Sequence, residues 1–471
     1  MLKTTTKKVV ILLGDIVILY FSLRTALWIR YQNPFFGGNE PEHVWDLHKI
    51  PFLLVFLLWI FIFYSSGMYD WERFGTRASD IAQRIVKPML VGSALAVLLF
   101  YFIPSFNSQS FKITPKTNLI IVAIIATLLL ALWRIIFAKT IVRGSKVRVL
   151  FLGYTEEIQN LAKYLSQNPF LGYETLSVMN QAQFKEQDLK TFLVGQKVNL
   201  VVIEPSVLRN QELVRAFYEI LPFGTSIISF PAFYASITGK IPTSLITETW
   251  FLENLIELNK RTFEVSKRLL DILFVVLLGI PAFVISVFIA LGITLSTPND
   301  VLHHRERRAR PGDGIVLFRQ KRVGKNGKTF DFIKFRSQIL GAEKMGDLKE
   351  LKAEHDPRQY PFGKFLRKTY LDEIPQLLNV LKGEMSLVGP RPERPEYVAE
   401  LKKSISFYEI RHLVRPGITG WAQINMHDDA SVEDAPEKLQ YDLFYIQNRS
   451  LLMDLAIAAK TATILARRTG R

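Results

Sequence analysis

Four apolar runs within the first 140 residues constrain this chain more than any other feature. They cover residues 9–29, 51–66, 89–103 and 119–138. A helix of about 20 predominantly apolar residues crosses a bilayer, and each run approaches that length. A helix on the surface of a soluble protein would show a polar stripe instead. Hydrophobic residues make up 49% of the 471-residue chain. Their clustering points to membrane helices rather than one large soluble core. The first run is not a cleaved signal, because it is too long and Arg24 and aromatic residues stand where a small-residue cleavage site would be. Asp15 inside that run needs a partner from a neighbouring helix, since a lone carboxylate is costly in lipid.

Charge orients the bundle. Lys3, Lys7 and Lys8 precede the first run, Arg73, Arg77, Arg84 and Lys87 lie between the second and third, and Arg143, Lys146 and Arg148 follow the fourth. The other two loops are poorer in Lys and Arg, and the first holds Glu40 and Glu42. The positive-inside rule therefore puts both ends of a 1–140 four-helix bundle in the cytoplasm. The whole chain carries a net charge of +16. Such a balance suits anionic lipid, phosphate substrates or nucleic acid. No nucleic-acid-binding signature accompanies it, so nucleic acid is set aside. With no cysteine there are no disulfides and no thiolate metal sites, and the seven histidines form no H-E-x-x-H pair.

Residues 146–257 alternate strand and helix patterns. VRVLFLGYTEEIQNLAKYL reads as strand, turn and helix, VNLVVIEPS as a second strand, and TSIISFP as a third. That order predicts a doubly wound, Rossmann-like α/β domain. A dinucleotide site would carry G-x-G-x-x-G after the first strand. Only Gly153 is there, followed by Tyr154, Thr155, Glu156 and Glu157, which deny a pyrophosphate both close backbone approach and a neutral surface.

The chemistry concentrates in residues 365–393, FLRKTYLDEIPQLLNVLKGEMSLVGPRPE. The pattern predicts a helix over 373–382, capped by Asp372 and stopped by Gly383. At that cap the helix dipole would keep Asp372 ionised. Acidic residues in a first turn are ordinary capping in most proteins. Here Glu373, Arg367 and Arg391 gather two carboxylates and two cations, a set suited to phosphoryl transfer. Upstream, the apolar run 269–295 is interrupted by Gly279 and Pro281. It reads as a fifth span or as a broken helix that enters and leaves on one face; the basic residues Lys267 and Arg268 before it and His303 to Arg310 after it favour re-entry, and the second of these clusters reads as a headgroup-facing patch. Between it and the acidic pair, IVLFRQKRV and KTFDFIKFR flank an Asn-Gly turn and predict a hairpin.

These blocks occur together in a known order. LDEIPQLLNVLKGEMSLVGPRPE, LFRQKRVGKNGKTFDFIKFRS, RPGITGWAQIN and YDLFYIQNRSLLMDL resemble the bacterial sugar transferases: polyprenyl-phosphate sugar-1-phosphate transferases, or monotopic phosphoglycosyl transferases. The resemblance covers 262–471. It implies a membrane protein of mixed class: the bundle, a Rossmann-like (CoA-binding-like) domain, and an α+β catalytic domain whose helix at 269–295 re-enters the membrane with its break at Pro281. It implies transfer of sugar 1-phosphate from a UDP-sugar to a polyprenyl phosphate at the bacterial inner membrane, with the catalytic domain facing the cytoplasm. Asp372 would be the nucleophile, Glu373 with Asp372 would hold Mg²⁺, and Arg367, Arg391, Lys334 and Arg336 would bind substrate phosphates. Gln320, Arg322, Arg415 and Gln423 would bind other parts of the substrate. Homo-oligomerisation stays open. The chain departs from the family pattern at Asp313-Gly314, at Gln338 and at Met426-His427-Asp428, so the sugar is not specified.

Two rival readings are weaker. A nucleotide-sugar epimerase or dehydratase needs a nicotinamide fingerprint and a helical Y-x-x-x-K pair. Tyr360 to Lys364 encloses Pro361 and Gly363. A nucleotide sensor built on the middle domain lacks the glycines.

Overall fold

The computed structural model describes residues 4–32, 44–69, 78–102, 115–137, 146–180, 186–220, 224–254, 261–296, 314–339, 342, 358–426 and 434–466. The basic stretch 303–310, Asp313, His427 and Asp428 lie outside them. The chain divides into two compact units, Met1–Ile228 and Ser229–Arg471.

The first unit begins with α1 (Thr4–Leu27), α2 (Val44–Ser65), α3 (Ala78–Phe102) and α4 (Pro115–Phe137). Each described apolar run lies on one helix. The second helix starts before the run at 51–66 and carries Pro51 inside it. Leu19, Leu23, Phe52, Trp59, Phe63, Val122 and Leu130 form the shared core. The outer faces are also apolar: Phe21, Leu57, Leu90, Ile120 and Leu128 are all more than half exposed. In water such a surface would be an association hazard, whereas lipid tails cover it at no cost. Helices spanning Val9–Tyr31, Val44–Ser65 and Asn118–Phe137 are long and apolar enough to cross a membrane, and α3 adds a shorter apolar stretch, Ile85–Val97. The chain is a membrane protein.

Asp15 has the partner its position demands. The guanidinium of Arg134 on α4 donates to both of its carboxylate oxygens, at 2.8 and 2.7 Å. Both side chains are buried. At the opposite end of α4, Asn118 accepts from Arg30 at 2.7 Å, and its amide nitrogen lies 2.6 Å from His48 Nε2. Both sets of contacts join different helices of the bundle.

The unit continues with β1 (Val147–Leu152), α5 (Glu156–Gln167), β2 (Tyr173–Met179), α6 (Glu186–Gly195), β3 (Leu200–Ile203), α7 (Gln211–Ile220) and β4 (Ser226–Ser229), whose last residue begins the second unit. The strands form one sheet in the order β2-β1-β3-β4, with β1 parallel to both neighbours. Thr155 caps α5, accepting from Ile158 N. Gly153 turns the chain at φ +133°, and a Cβ there would fall 2.5 Å from the Glu204 carboxylate. A carboxylate thus stands beside the glycine where a pyrophosphate would approach.

In the second unit, α8 (Phe230–Thr238) and α9 (Glu248–Asn254) precede α10 (Arg261–Ser296). Ala235, Ile241, Ile246 and Phe251 pack with Val323, Val398, Leu439 and Leu443. Residues the sequence assigns to the end of the middle domain therefore share a core with the catalytic blocks. The rest comprises the antiparallel hairpin β5 (Leu317–Val323) and β6 (Thr329–Phe335), then α11 (Pro361–Lys368), α12 (Gln376–Lys382), β7 (Ser386–Val388), α13 (Pro395–Ser404), β8 (Gly417–Thr419), α14 (Trp421–Asn425), α15 (Ala435–Gln447) and α16 (Leu451–Ala466). The hairpin turn is the expected one, with Asn326 at φ 56° and Gly327 at φ +76°.

Helix α10 is a single 36-residue element that continues through Pro281. Val275 packs with Phe330, Phe332, Val380 and Met385. Further along, Ile289 and Ile293 pack with Phe335 and Leu366. Gly292 lets the Phe362 ring lie against the helix, since a Cβ there would come within 2.5 Å of it. No residue from 276 to 288 is buried. Both ends of the apolar run therefore rest on the same unit, while its middle stands clear.

The buried ion pair generates a prediction. Asp15→Leu should destabilise the bundle by about 3–5 kcal/mol, because the Arg134 charge is left buried and unpaired. Adding Arg134→Met should recover most of that loss. Thermal unfolding of the full chain in detergent checks both.

Candidate active site

The acidic pair sits on a tight turn and not on the predicted cap. Leu371–Glu373 is a 3₁₀ turn, entered from Tyr370 at φ 56°. Glu373 N donates to Tyr370 O at 3.1 Å and Leu378 N to Pro375 O at 3.0 Å. Pro375 has no N–H to give to Leu371, so the i→i−4 ladder cannot start there and the chain closes three-residue turns. Helix α12 begins only at Gln376 and ends at Gly383, φ 81°, as expected. Asp372 is therefore not the cap of that helix, and the dipole argument for its charge does not apply. Tyr370, a bulky residue in the left-handed region, marks local strain beside the two carboxylates.

Two cations converge on one oxygen of Glu373. Lys334 Nζ lies 2.7 Å from Glu373 Oε1 and Arg391 Nη2 lies 2.9 Å from the same atom. Lys334 is also 3.9 Å from Asp372 Oδ2. Strand β6 supplies the lysine, the 3₁₀ turn the carboxylates, and the loop after β7 the arginine. Burial works against a charged Glu373, but Arg391 and Lys334 outweigh it and hold the carboxyl far below the usual range. Asp372 goes the other way. Burial raises its pKa, and Lys334, at the longer distance, offsets only part of that. Neighbouring carboxylates in unlike environments are a common mark of acid–base or nucleophilic sites.

The other residues singled out by sequence fall into two groups. The charge of Arg367 acts on Asp372. Arg336 is buried, with its guanidinium donating to Gly314 O. Arg322 donates to Pro392 O at 3.2 Å and lies 3.6 Å from Glu393. Arg415 donates to Gly383 O at 3.2 Å and to Glu264 at 3.5 Å. Gln423 donates to Ile418 O at 3.3 Å. Gln320 sits on β5 opposite Phe332. The direct contacts thus join Lys334, Asp372, Glu373 and Arg391, while Arg336, Arg322, Arg415 and Gln423 engage the surrounding backbone.

Sequence reasoning gave no role to a second charged cluster. Arg411 and Asp442 form a buried pair at 2.8 Å, and Glu393 accepts from Lys438. Burial works against the Glu393 charge, yet Lys438 and Arg411 hold its carboxyl down at about 2. A third cluster ties α10 to the core. Lys267 pairs with Asp454 at 2.5 Å, Tyr445 donates to Asp454 at 2.8 Å, and Asp271 accepts from Leu387 N and Ser386 Oγ at 3.1 Å each. The available signal was an acidic residue within an apolar helical pattern, Asp442 in YDLFYI and Asp271 in LLDILF.

Residues 262–468 match the family described as bacterial sugar transferase. That match lies within the second unit, Ser229–Arg471. The chain is 45% identical over 148 residues to the UDP-N-acetylgalactosamine-undecaprenyl-phosphate N-acetylgalactosaminephosphotransferase of Aeromonas hydrophila, covering 31% of this chain and 34% of that one. It is 28% identical over 370 residues to the UDP-glucose:undecaprenyl-phosphate glucose-1-phosphate transferase of Xanthomonas campestris pv. campestris, covering 71% and 72%. A protein of the same description from Escherichia coli K12 is 37% identical over 198 residues, 41% of this chain and 39% of that one. The chain thus spans about a third of the first relative and most of the second.

Asp372 yields a stability test. A carboxyl whose folded pKa is raised destabilises the fold once pH exceeds its ordinary value of about 3.9, because the unfolded chain ionises first. Asp372→Asn removes that cost. The full-length Asn variant should melt at a higher temperature than the unaltered chain at pH 7. The difference should shrink towards pH 3, where Asp372 is protonated in both states.

Proposed function

We propose that the chain transfers a sugar 1-phosphate from a UDP-sugar to a polyprenyl (undecaprenyl) phosphate. The products are a polyprenyl-diphosphate-sugar and UMP, and the step initiates an exopolysaccharide, capsule or O-antigen. The observation that carries this reading is the four-residue cluster of Asp372, Glu373, Lys334 and Arg391. The named relatives act with undecaprenyl phosphate and differ in their sugars, which supports the acceptor class and leaves the sugar undetermined.

In this reading an oxygen of Asp372 attacks the β-phosphorus of the donor. The bond from that phosphorus to the bridging oxygen breaks, UMP leaves with the electron pair, and an aspartyl-phosphosugar remains. A phosphate oxygen of the lipid then attacks the same phosphorus and releases the Asp372 carboxylate. Raised by burial and only loosely paired, Asp372 is a better nucleophile than Glu373, whose charge two cations already neutralise. Arg391 and Lys334 stand where a diphosphate would meet fixed positive charge, and Arg367 adds to it.

Mg²⁺ fits the donor set. Among the described residues no group of three acidic, histidine or cysteine side chains forms a metal cage. Mg²⁺ needs none, since it commonly uses one or two carboxylates together with substrate phosphates. Lys334 and Arg391 meet Glu373 at Oε1, and Lys334 lies 3.9 Å from Asp372 Oδ2. The Gln376 amide is fully buried with no partner among the described residues, the kind of group that a metal's hydration shell satisfies. Asp372 and Glu373 would hold the ion, which would screen the phosphate charge that otherwise repels a carboxylate.

The finer topology belongs to the same proposal. The transferase domain faces the cytoplasm from the bacterial inner membrane, and α10 enters and leaves on that side, bent at Pro281. The burial of both ends of its apolar run on one unit, with 276–288 clear of it, supports this. The strand order β2-β1-β3-β4 supports a Rossmann-like middle domain.

Two experiments test the proposal. With Mg²⁺ and a labelled UDP-sugar alone, the chain should release up to one UMP per active site and retain the label as an adduct on Asp372, read by intact-protein mass spectrometry. Asp372→Asn should abolish both. Unmodified protein from an active enzyme overturns the covalent route. Single cysteines, Arg261→Cys on the exposed start of α10 and His303→Cys, in this cysteine-free chain should both label from the cytoplasmic side. Labelling from opposite sides overturns re-entry.

A further inference from the structure

Four successive carbonyls of the loop that carries Arg391, from Pro390 to Glu393, each accept a hydrogen bond. Pro390 O accepts from Gly417 N at 3.0 Å and Glu393 O from Val323 N at 2.9 Å. Between them, Arg391 O accepts from Arg411 Nη2 at 2.9 Å and Pro392 O from Arg322 Nη1 at 3.2 Å. Two of the four donors are guanidinium groups. Both belong to arginines that reach the loop from other elements, β5 for Arg322 and the turn Tyr408–Leu413 for Arg411. Pro390 and Pro392 stiffen the backbone on either side of Arg391.

Arg411 is the more deeply committed of the two. Only 3% of it is exposed, and it is oriented by groups that touch nothing of the acidic pair. Its Nε and Nη2 bond Asp442 Oδ2 at 3.1 and 2.8 Å, and its Nη1 donates to the Tyr408 hydroxyl at 2.6 Å. Asp442 is 1% exposed. A planar fork locked in this way can direct the second N–H of Nη2 with little freedom, which an ammonium on a flexible stem cannot.

We propose that the Arg411–Asp442 pair is a positioning device for Arg391, and that Arg322 serves the same loop instead of binding substrate. The pair grips the carbonyl of Arg391 while the side chain of that residue reaches Glu373. Arg411 thus acts on the reaction only through where it holds Arg391. This rests on the reading of Arg391 as a phosphate-binding group. Phosphoryl transfer is sensitive to such aim, because most of its catalysis is placement of charge, and a shift of about 1 Å can cost about 100-fold.

A double-mutant cycle on the full-length chain in detergent tests the proposal. Turnover is read as UMP release with Mg²⁺, undecaprenyl phosphate and whichever of UDP-glucose, UDP-galactose or UDP-N-acetylgalactosamine the unaltered chain uses. Arg411→Lys keeps the charge opposite Asp442 but loses the fork. It should lower kcat at least 10-fold, with KM for the donor changed less than threefold. In an Arg391→Lys background the same substitution should cost less than twofold more, because there is no aimed guanidinium left to misplace. Arg322→Lys should behave alike. If Arg391→Lys turns over too slowly for steady-state rates, single-turnover UMP release with enzyme in excess over donor closes the same cycle. Equal losses in both backgrounds, or a loss that follows the fall in melting temperature, overturn the positioning role. A rise confined to donor KM in Arg322→Lys returns that residue to the substrate. An unaltered chain that releases no UMP with these donors or with any other of a wide panel of UDP-sugars refutes the proposed function itself, an outcome separate from an additive cycle in an active enzyme.

Discussion

The structure of the catalytic unit depends on one oxygen atom, Oε1 of Glu373, shared by Lys334 and Arg391. A carboxylate that accepts from two cations away from bulk water is stabilised in its charged form, and each cation is stabilised in return. Removing Glu373 leaves two cations facing each other, and removing either cation leaves Glu373 with one partner in place of two. The arrangement therefore commits strand β6, the 3₁₀ turn and the loop after β7 to a single relative position. Asp372 gains from this without taking part in it. It stands next to the neutralised cluster and keeps a carboxylate that is expensive to bury and has little holding it.

The supports of that cluster are built on backbone carbonyls. Asn379 on α12 donates to Asp331 O and accepts from Ile333 N, which fixes the helix after the acidic pair against β6. Gly389 and Gly417 approach so closely that a Cβ on either would strike the other segment's backbone, which brings β7 and β8 together at the base of the Arg391 loop. Arg336, Arg322, Arg415 and Arg411 each donate to a main-chain oxygen. The abundance of arginine in this unit thus has two uses. A few guanidinium groups are directed at the acidic pair, and the larger share holds loops in place.

The membrane-facing parts follow a different rule. In the bundle, apolar side chains cover both the inner and outer faces, and the buried carboxylate Asp15 is met by Arg134 of another helix. In α10 the buried residues sit towards its two ends, and the charged ones, Lys267 and Asp271, are consumed by Asp454, Leu387 and Ser386 of the unit below. The helix is thereby attached to the same β7 segment that leads into the Arg391 loop.

Much of this was legible in the chain alone. Apolar runs near bilayer length, the alternation of strand and helix in the middle domain, the Asn-Gly hairpin and the Gly383 stop are local patterns, governed by neighbours within a few residues. The pairing of the acidic residues with Arg391 was also legible, since a short loop separates them. Three things were decided only by tertiary structure. The 3₁₀ turn at Asp372 arises because Pro375 interrupts the hydrogen-bond ladder while Tyr370 takes a left-handed conformation, and capping preferences register neither. Lys334 joins the site, and Arg336 two residues on turns to the Gly314 carbonyl, because the contacts of a strand residue depend on what packs against it. Arg411 and Asp442 stand 31 residues apart. Nothing local in either neighbourhood announces that burial will force the two charges together beneath the loop that holds Arg391.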